Sequence, residues 1–108
     1  MRNRPTQKQL EKLPALLSTE SVPLKDKVIS MHFFMGGCDW YVVEYDQNDK
    51  LFWGFAILNG DLQNAEWGYF GLEELASIKV GFVEVDRDIH RGKVKASEVY
   101  NIAKAQGW

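Results

Sequence analysis

Three acidic residues recur at every second position late in the chain: Glu84, Asp86 and Asp88. Side chains alternate between the two faces of an extended strand, so this spacing predicts three carboxylates on one face. Carboxylate oxygens are the ligands that Mg²⁺ and Mn²⁺ prefer, and these ions support phosphoryl transfer. One interpretation is therefore a divalent-metal-dependent hydrolase of nucleic acid or nucleotides. The other is the solvated side of an edge strand, which we favour because the reverse face is apolar.

Two further carboxylates, Glu44 and Asp46, share one face of an earlier predicted strand. We call Glu84, Asp86 and Asp88 the acidic ladder. Glu44 and Asp46 extend it if both strands turn these faces to the same side. Asp46 also precedes Gln-Asn-Asp, and an aspartate at the end of a strand is common turn chemistry. The spacing leaves both interpretations open.

The chain offers little for softer metals or for covalent catalysis. His32, His90 and Cys38 are its only histidines and cysteine, and their spacing matches no zinc-binding pattern. Asp39 follows Cys38 directly, and an acidic neighbour disfavours the thiolate that nucleophilic catalysis needs. A single cysteine also excludes a disulfide within the chain. We therefore expect no cofactor, with Mg²⁺ or Mn²⁺ as the alternative if the acidic ladder binds metal.

Aromatic residues concentrate in the middle of the chain, where residues 39–88 hold ten of the fourteen rings. Strands favour aromatic side chains and each ring buries a large area, so most of them should form the core. Rings that stay exposed commonly anchor protein interfaces. Trp40, Trp53 and Tyr69 are the candidates for that role.

The same middle region is acidic, with eleven of the fifteen Asp and Glu residues against three basic ones. Both flanks are basic, so a net charge of −2 conceals a polarity. An acidic surface disfavours nonspecific nucleic-acid binding and favours a basic protein partner. The sequence thus favours a non-enzymatic protein-binding or regulatory module over an enzyme. Its candidate interface comprises Trp40, Glu44, Asp46, Trp53, Tyr69, Glu84, Asp86 and Asp88.

A small α+β domain must position these residues. Runs of β-branched and aromatic residues between Gly- and Asn-rich turns predict strands at about 27–35, 40–46, 51–58, 67–70 and 80–89. A helix is predicted over about residues 6–13, where Thr6 and Gln9 have the spacing of a capping box, and another begins after Gly71 as its N-cap. A third is predicted over about residues 96–106, where Gly107 is a suitable end. We expect a mainly antiparallel sheet of about five strands with an N-terminal helix, a helix after the fourth strand and a C-terminal helix.

Length and composition agree with one globular domain over residues 1–108, with a basic and mobile stretch at residues 1–5. A chain of 108 residues with 45% hydrophobic and 26% charged residues is ordinary for a single domain. No run reaches the roughly 18–20 apolar residues of a membrane-spanning helix, and the first residues lack the apolar core of a signal peptide. We therefore expect a cytoplasmic protein.

Several segments together resemble a family of small bacterial proteins. In chain order they are L-P-A-L-L-S-T-E at 13–20, P-L-K-D-K-V at 23–28, W-Y-V-V-E-Y-D at 40–46, E-W-G-Y-F-G-L-E-E-L at 66–75 and E-V-D-R-D at 84–88. The family is a domain of unknown function that occurs on plasmids, phages and other mobile elements. The resemblance implies no activity and contributes only the association with mobile elements. The acidic, aromatic surface is what favours a basic partner, in a nucleic-acid-handling complex of the host or of a mobile element.

Overall fold

The computed structural model describes all residues from 1 to 108. Three α-helices are present: α1 (Gln7–Glu11), α2 (Leu72–Ser77) and α3 (Tyr100–Gln106). The strands are β1 (Val28–Ile29), β2 (Met31–Met35), β3 (Cys38–Asp46), β4 (Leu51–Ile57), β5 (Glu66–Gly71), β6 (Lys79–Val80), β7 (Val83–Glu84), β8 (Asp86–Arg87) and β9 (Val94–Lys95). Single 3-10 turns cover Leu24–Asp26 and Ala96–Glu98. None of the helices combines the length and apolar character needed to cross a membrane.

A five-stranded antiparallel sheet lies at the centre, in the order β5-β4-β3-β2-β8. Strands β2 to β5 are consecutive in the chain and pair with one another as an antiparallel meander. The short turns that join β2 to β3 and β3 to β4 predict this arrangement. At one edge β8 pairs with β2, which places Asp86 opposite Phe34. Two smaller two-stranded sheets join β1 to β9 and β6 to β7. The predicted α+β class is confirmed.

Both faces of the sheet are covered, so all six residues from Trp40 to Tyr45 in β3 are buried. Helices α1 and α2 cover one face, where Leu10 and Leu75 belong to the cluster around Phe33 and Phe52. The turn before α3 and α3 itself cover the other face. There, buried residues from these elements pack with residues of β3 and β4: Tyr41, Val43, Phe55, Ile57, Ala96, Val99 and Ile102.

A β-bulge in β3 changes which side chains face which layer. The register with β4 shifts between Val42, which lies opposite Gly54, and Glu44, which lies opposite Trp53. The extra residue breaks the strict alternation predicted for this strand, because a bulge sets two residues against one. Gly54 is required here, since a Cβ at this position would lie 1.8 Å from the carbonyl oxygen of Tyr41.

Local capping signals fix the ends of the helices. The Thr6 hydroxyl accepts a hydrogen bond from the backbone N–H of Gln9, whose side chain accepts one from the backbone N–H of Thr6. This is the predicted capping box, although α1 ends earlier than expected. Helix α3 ends at Gly107, whose φ of 73° lies in the left-handed region that favours glycine.

The prediction of one continuous strand over residues 80–89 is wrong. Gly81, with a φ of 62°, turns the chain back on itself, so β6 and β7 form a hairpin before β8 begins. Val85 is the only buried residue of the stretch, whereas Val83 and Ile89 are exposed. The apolar reverse face that the alternation predicted does not form.

Candidate functional site

Three residues of the predicted interface, Trp40, Glu44 and Asp46, lie in the core or in a turn. Trp40 is 6% exposed and packs in the core beneath α1 and α2, because β3 is the central strand and both of its faces are covered. Glu44 is 4% exposed. Asp46 accepts a hydrogen bond from the backbone N–H of Asn48, which is the turn chemistry that its position indicated.

Glu44 anchors the segment between α1 and β1. One carboxylate oxygen accepts a hydrogen bond from the backbone N–H of Leu17 at 2.9 Å. The other accepts from the backbone N–H of Thr19 at 3.2 Å and from the Thr19 hydroxyl. The buried Lys27 amine donates to the carbonyl and hydroxyl oxygens of Thr19 from the opposite side. The Glu44 carboxylate and the Lys27 amine are thus buried near each other, and their hydrogen bonds offset the free-energy cost of removing them from water.

Trp53 and Tyr69 lie near the β5 edge of the sheet. The Trp53 ring is half-buried and stacks on Trp67, with centroids 5.2 Å apart, while Tyr69 is 58% exposed. Both line a depression of about 220 Å³ together with Leu17 and Leu24. Of the three predicted aromatic anchors, Tyr69 is the one that the surface presents most openly.

The three carboxylates of the predicted ladder do not line one pocket together. Asp86 and Asp88 line the same pocket, but Glu84 belongs to the preceding hairpin and lies 3.0 Å from the amino group of Met1. That amino group donates a hydrogen bond which lowers the pKa of Glu84. No three Asp, Glu, His or Cys side chains come together in a way that suits a metal ion. Glu84, Asp86 and Asp88 therefore do not form the single row of three carboxylates that the sequence predicted.

A polar pocket of about 520 Å³ lies where β2 meets β8, and we call it the His32 pocket. Ten residues line it: Asn3, His32, Phe34, Gly36, Asp39, Asp86, Arg87, Asp88, Ile89 and His90. Three of these are aspartates and one is an arginine. None is a serine, threonine, cysteine or lysine, so the lining offers no hydroxyl, thiol or amine nucleophile.

His32 is the best-positioned polar side chain of this pocket. Its Nε2 lies 2.7 Å from Oδ1 of Asp39, and its Nδ1 lies 3.8 Å from Oδ2 of Asp88. Its ring stacks on Tyr41 with a centroid distance of 4.4 Å and an interplanar angle of 6°. The backbone N–H of His90 donates to Asp88 and, with the nearby His32, lowers the pKa of Asp88. Burial, followed by the charge of Asp39, raises the pKa of Tyr41.

The sequence pattern marked His32 as a candidate zinc ligand and did not place it in a pocket. The tight turn at Gly36 and Gly37 was the available signal, since a short hairpin fixes the register of its strands. That register sets Phe34 opposite Asp39, and therefore sets His32 beside Asp39 on the same face.

A hairpin tip next to this pocket is the most exposed apolar feature of the molecule. We define the hairpin tip as residues 80–83. Val80 is 67% exposed, Phe82 is 102% exposed and Val83 is 54% exposed. A second depression under the tip shares Phe34, Gly36 and Asp86 with the His32 pocket. The hairpin tip and the His32 pocket therefore form one continuous surface. The single strand predicted over residues 80–89 contains no hairpin and so did not predict this surface.

Comparison with known families identifies one match. A family model described as a protein of unknown function, DUF2958, matches residues 6–108. The chain has no significant match among curated proteins and none among solved structures.

Proposed function

The chain belongs to the DUF2958 family of proteins of unknown function, and from this starting point we propose that it is a non-enzymatic protein-binding module. Its binding surface comprises the hairpin tip and the His32 pocket. The partner is a protein that presents an apolar cleft rimmed by lysine or arginine side chains. The single observation that carries this proposal is the full exposure of Phe82 beside a carboxylate-lined pocket.

The exposure of Phe82 supports an apolar contact. Folding leaves this ring as open to water as an extended chain does, although eleven other aromatic residues are buried or half-buried. Full burial of such a side chain in a partner's cleft contributes about 1.5–3 kcal/mol to the complex, before the entropic cost of association is subtracted. Val80 and Val83 flank the ring and extend the apolar area. Exposed clusters of this kind are common at protein interfaces.

The charge of the pocket supports a basic rim on the partner. Asp39, Asp86 and Asp88 line the pocket against Arg87 as the single arginine. Opposite charges across an interface mainly speed association and select between partners. Asp86 and Asp88 of the acidic ladder thus line the His32 pocket, and Glu84 lines the depression under the hairpin tip.

The pocket lining also favours binding over covalent catalysis. His32 has one ring nitrogen held by Asp39, which orients the imidazole. No serine, threonine, cysteine or lysine side chain lines the pocket beside it, and no cluster of acidic residues suits a metal ion. The proposed partner is a nucleic-acid-handling protein of the host cytoplasm or of a mobile element, and the mobile-element part rests on the sequence resemblance.

Affinity capture from the bacterial host tests the proposal with a matched pair of variants. Phe82→Ser removes the exposed ring of the hairpin tip, and Tyr100→Ser removes a ring that is 75% exposed elsewhere. We expect the wild type and Tyr100→Ser to retain the same partner and Phe82→Ser to lose it. Association of the purified pair should slow as salt rises from about 50 to about 500 mM, because screening weakens charge attraction. Equal capture by all three proteins would contradict the proposal.

A further inference from the structure

Strand β5 is a free edge of the central sheet. It pairs with β4 on one side and with no strand on the other. The backbone N–H of Leu72 donates to the carbonyl of Lys50, which shows that residues 66, 68 and 70 form the hydrogen-bonded pairs with β4. The N–H and C=O groups of Trp67 and Tyr69 therefore point away from the sheet. No backbone partner is present for them within the chain.

This edge lacks the usual protection against pairing. Natural edge strands carry lysine, proline or a bulge that discourages a second strand. The sequence of β5, E-W-G-Y-F-G, has no lysine and no proline, and its register with β4 runs without a shift over six pairs. Tyr69 is exposed at its centre. The strand is thus regular, mostly uncharged and open to a further strand.

We propose that β5 pairs antiparallel with β5 of a second copy of this chain, about a twofold axis at Gly68. In this register Trp67 forms a hydrogen-bonded pair with the partner subunit's Tyr69, and Tyr69 pairs with the partner subunit's Trp67. All the outward backbone groups of these two residues are then satisfied. Beyond them the ladder ends, because the N–H of Gly71 already donates to Glu74.

The residues of β5 suit this symmetric register. Gly68 meets its own copy in a non-hydrogen-bonded pair, where Cα atoms approach to about 4.5 Å. A Cβ at Gly68 would meet no atom of its own chain within 4 Å, so the space at the axis is open. The single charged residue, Glu66, lies opposite the partner's Phe70 rather than opposite another acid. The exposed Tyr69 gains an aromatic cross-strand neighbour in the partner's Trp67.

A second copy is favoured over a foreign peptide because β5 itself has the hydrogen-bonding groups and side chains that a pairing strand needs. Isologous contacts about a twofold axis are also the commonest way in which soluble proteins assemble. The hairpin tip adjoins β8, at the opposite edge of the sheet. The dimer therefore carries two copies of the proposed binding surface, and its formation does not depend on their function.

Analytical ultracentrifugation of the full chain tests the dimer. We expect the wild type to sediment at twice the 12.4 kDa mass of one chain. Tyr69→Pro removes an N–H that points away from β4, so the monomer should still fold while the dimer is lost. Tyr69→Phe keeps that N–H and should remain dimeric. A monomeric wild type at about 100 μM, or a dimeric Tyr69→Pro variant, would overturn the proposal.

Disulfide trapping tests the register and does not rely on a proline variant that folds. Cys38→Ser provides a background without thiols, since Cys38 is the single cysteine. Gly68→Cys in this background should form a covalent dimer on mild oxidation, because the Cα atoms at the axis lie within disulfide range. Gly92→Cys, at an exposed glycine far along the chain, is the control. Equal rates of crosslinking for the two variants would exclude the proposed axis.

Discussion

Replacement of the buried Glu44 tests how the fold holds the segment before β1. Glu44→Ala removes the acceptor of two backbone N–H groups, those of Leu17 and Thr19, and of the Thr19 hydroxyl. A hydrogen bond to a charged group contributes about 1.5–3 kcal/mol to stability. Water reaches the exposed turn around Leu17, which favours the lower end of that range, so the two bonds from backbone N–H groups alone give a loss of about 3 kcal/mol.

Equilibrium unfolding in urea, followed by tryptophan fluorescence, measures this loss. Glu44→Gln keeps one oxygen acceptor and should destabilise the protein by less than Glu44→Ala. Glu20→Ala, in the same segment, removes an exposed carboxylate and should change the free energy of unfolding by no more than about 0.5 kcal/mol. The slope of the free energy against urea should be the same in all variants, because the surface exposed on unfolding is unchanged.

The result that would refute this reasoning is a small effect. If Glu44→Ala unfolds within about 1 kcal/mol of the wild type, the carboxylate is not the anchor of the segment. Glu44 would then be open to the role in partner binding that the sequence predicted for it.

Two further predictions concern the sheet and the response to acid. Gly54→Ala should lower the free energy of unfolding by about 3 kcal/mol or more, because its Cβ would lie 1.8 Å from the carbonyl oxygen of Tyr41. Gly92→Ala, at a glycine with open space around it, should change it little. Thermal unfolding compares the two variants, and equal melting temperatures would contradict the close approach at Gly54. The backbone N–H of His90 donates a hydrogen bond that lowers the pKa of Asp88 in the folded protein below its usual 3.8. The ionised Asp88 therefore stabilises the fold above about pH 4, and this stabilisation is lost as the pH falls through the lowered pKa. Asp88→Asn should therefore flatten the fall in stability below about pH 4 in thermal unfolding, and an unchanged acid profile would contradict this.

Local signals in the sequence were sufficient for much of the fold. The capping box at Thr6 and Gln9, the glycine before α2 and the glycine after α3 all lie at the predicted helix ends. The strands of the meander follow from β-rich runs and short turns, because neighbouring strands joined by tight turns pair antiparallel. These features depend on residues close together in the chain.

The remaining features depend on contacts that a single strand pattern does not contain. The bulge in β3 moves Glu44 to the face of Trp53, so alternation alone placed it among the wrong neighbours. Gly81 divides what reads as one alternating strand, and only the pairing of β6 with β7 reveals the hairpin. The exposure of Phe82 follows from that hairpin, as does the separation of Glu84 from the His32 pocket.

Photocrosslinking in living host cells tests the proposed binding surface most directly. A benzoylphenylalanine at position 82 places a light-activated group on the fully exposed hairpin tip, and the same residue at position 100 provides an exposed control. We expect a discrete light-dependent adduct with another protein at position 82 and not at position 100. No adduct at position 82, or the same adducts at both positions, would contradict it.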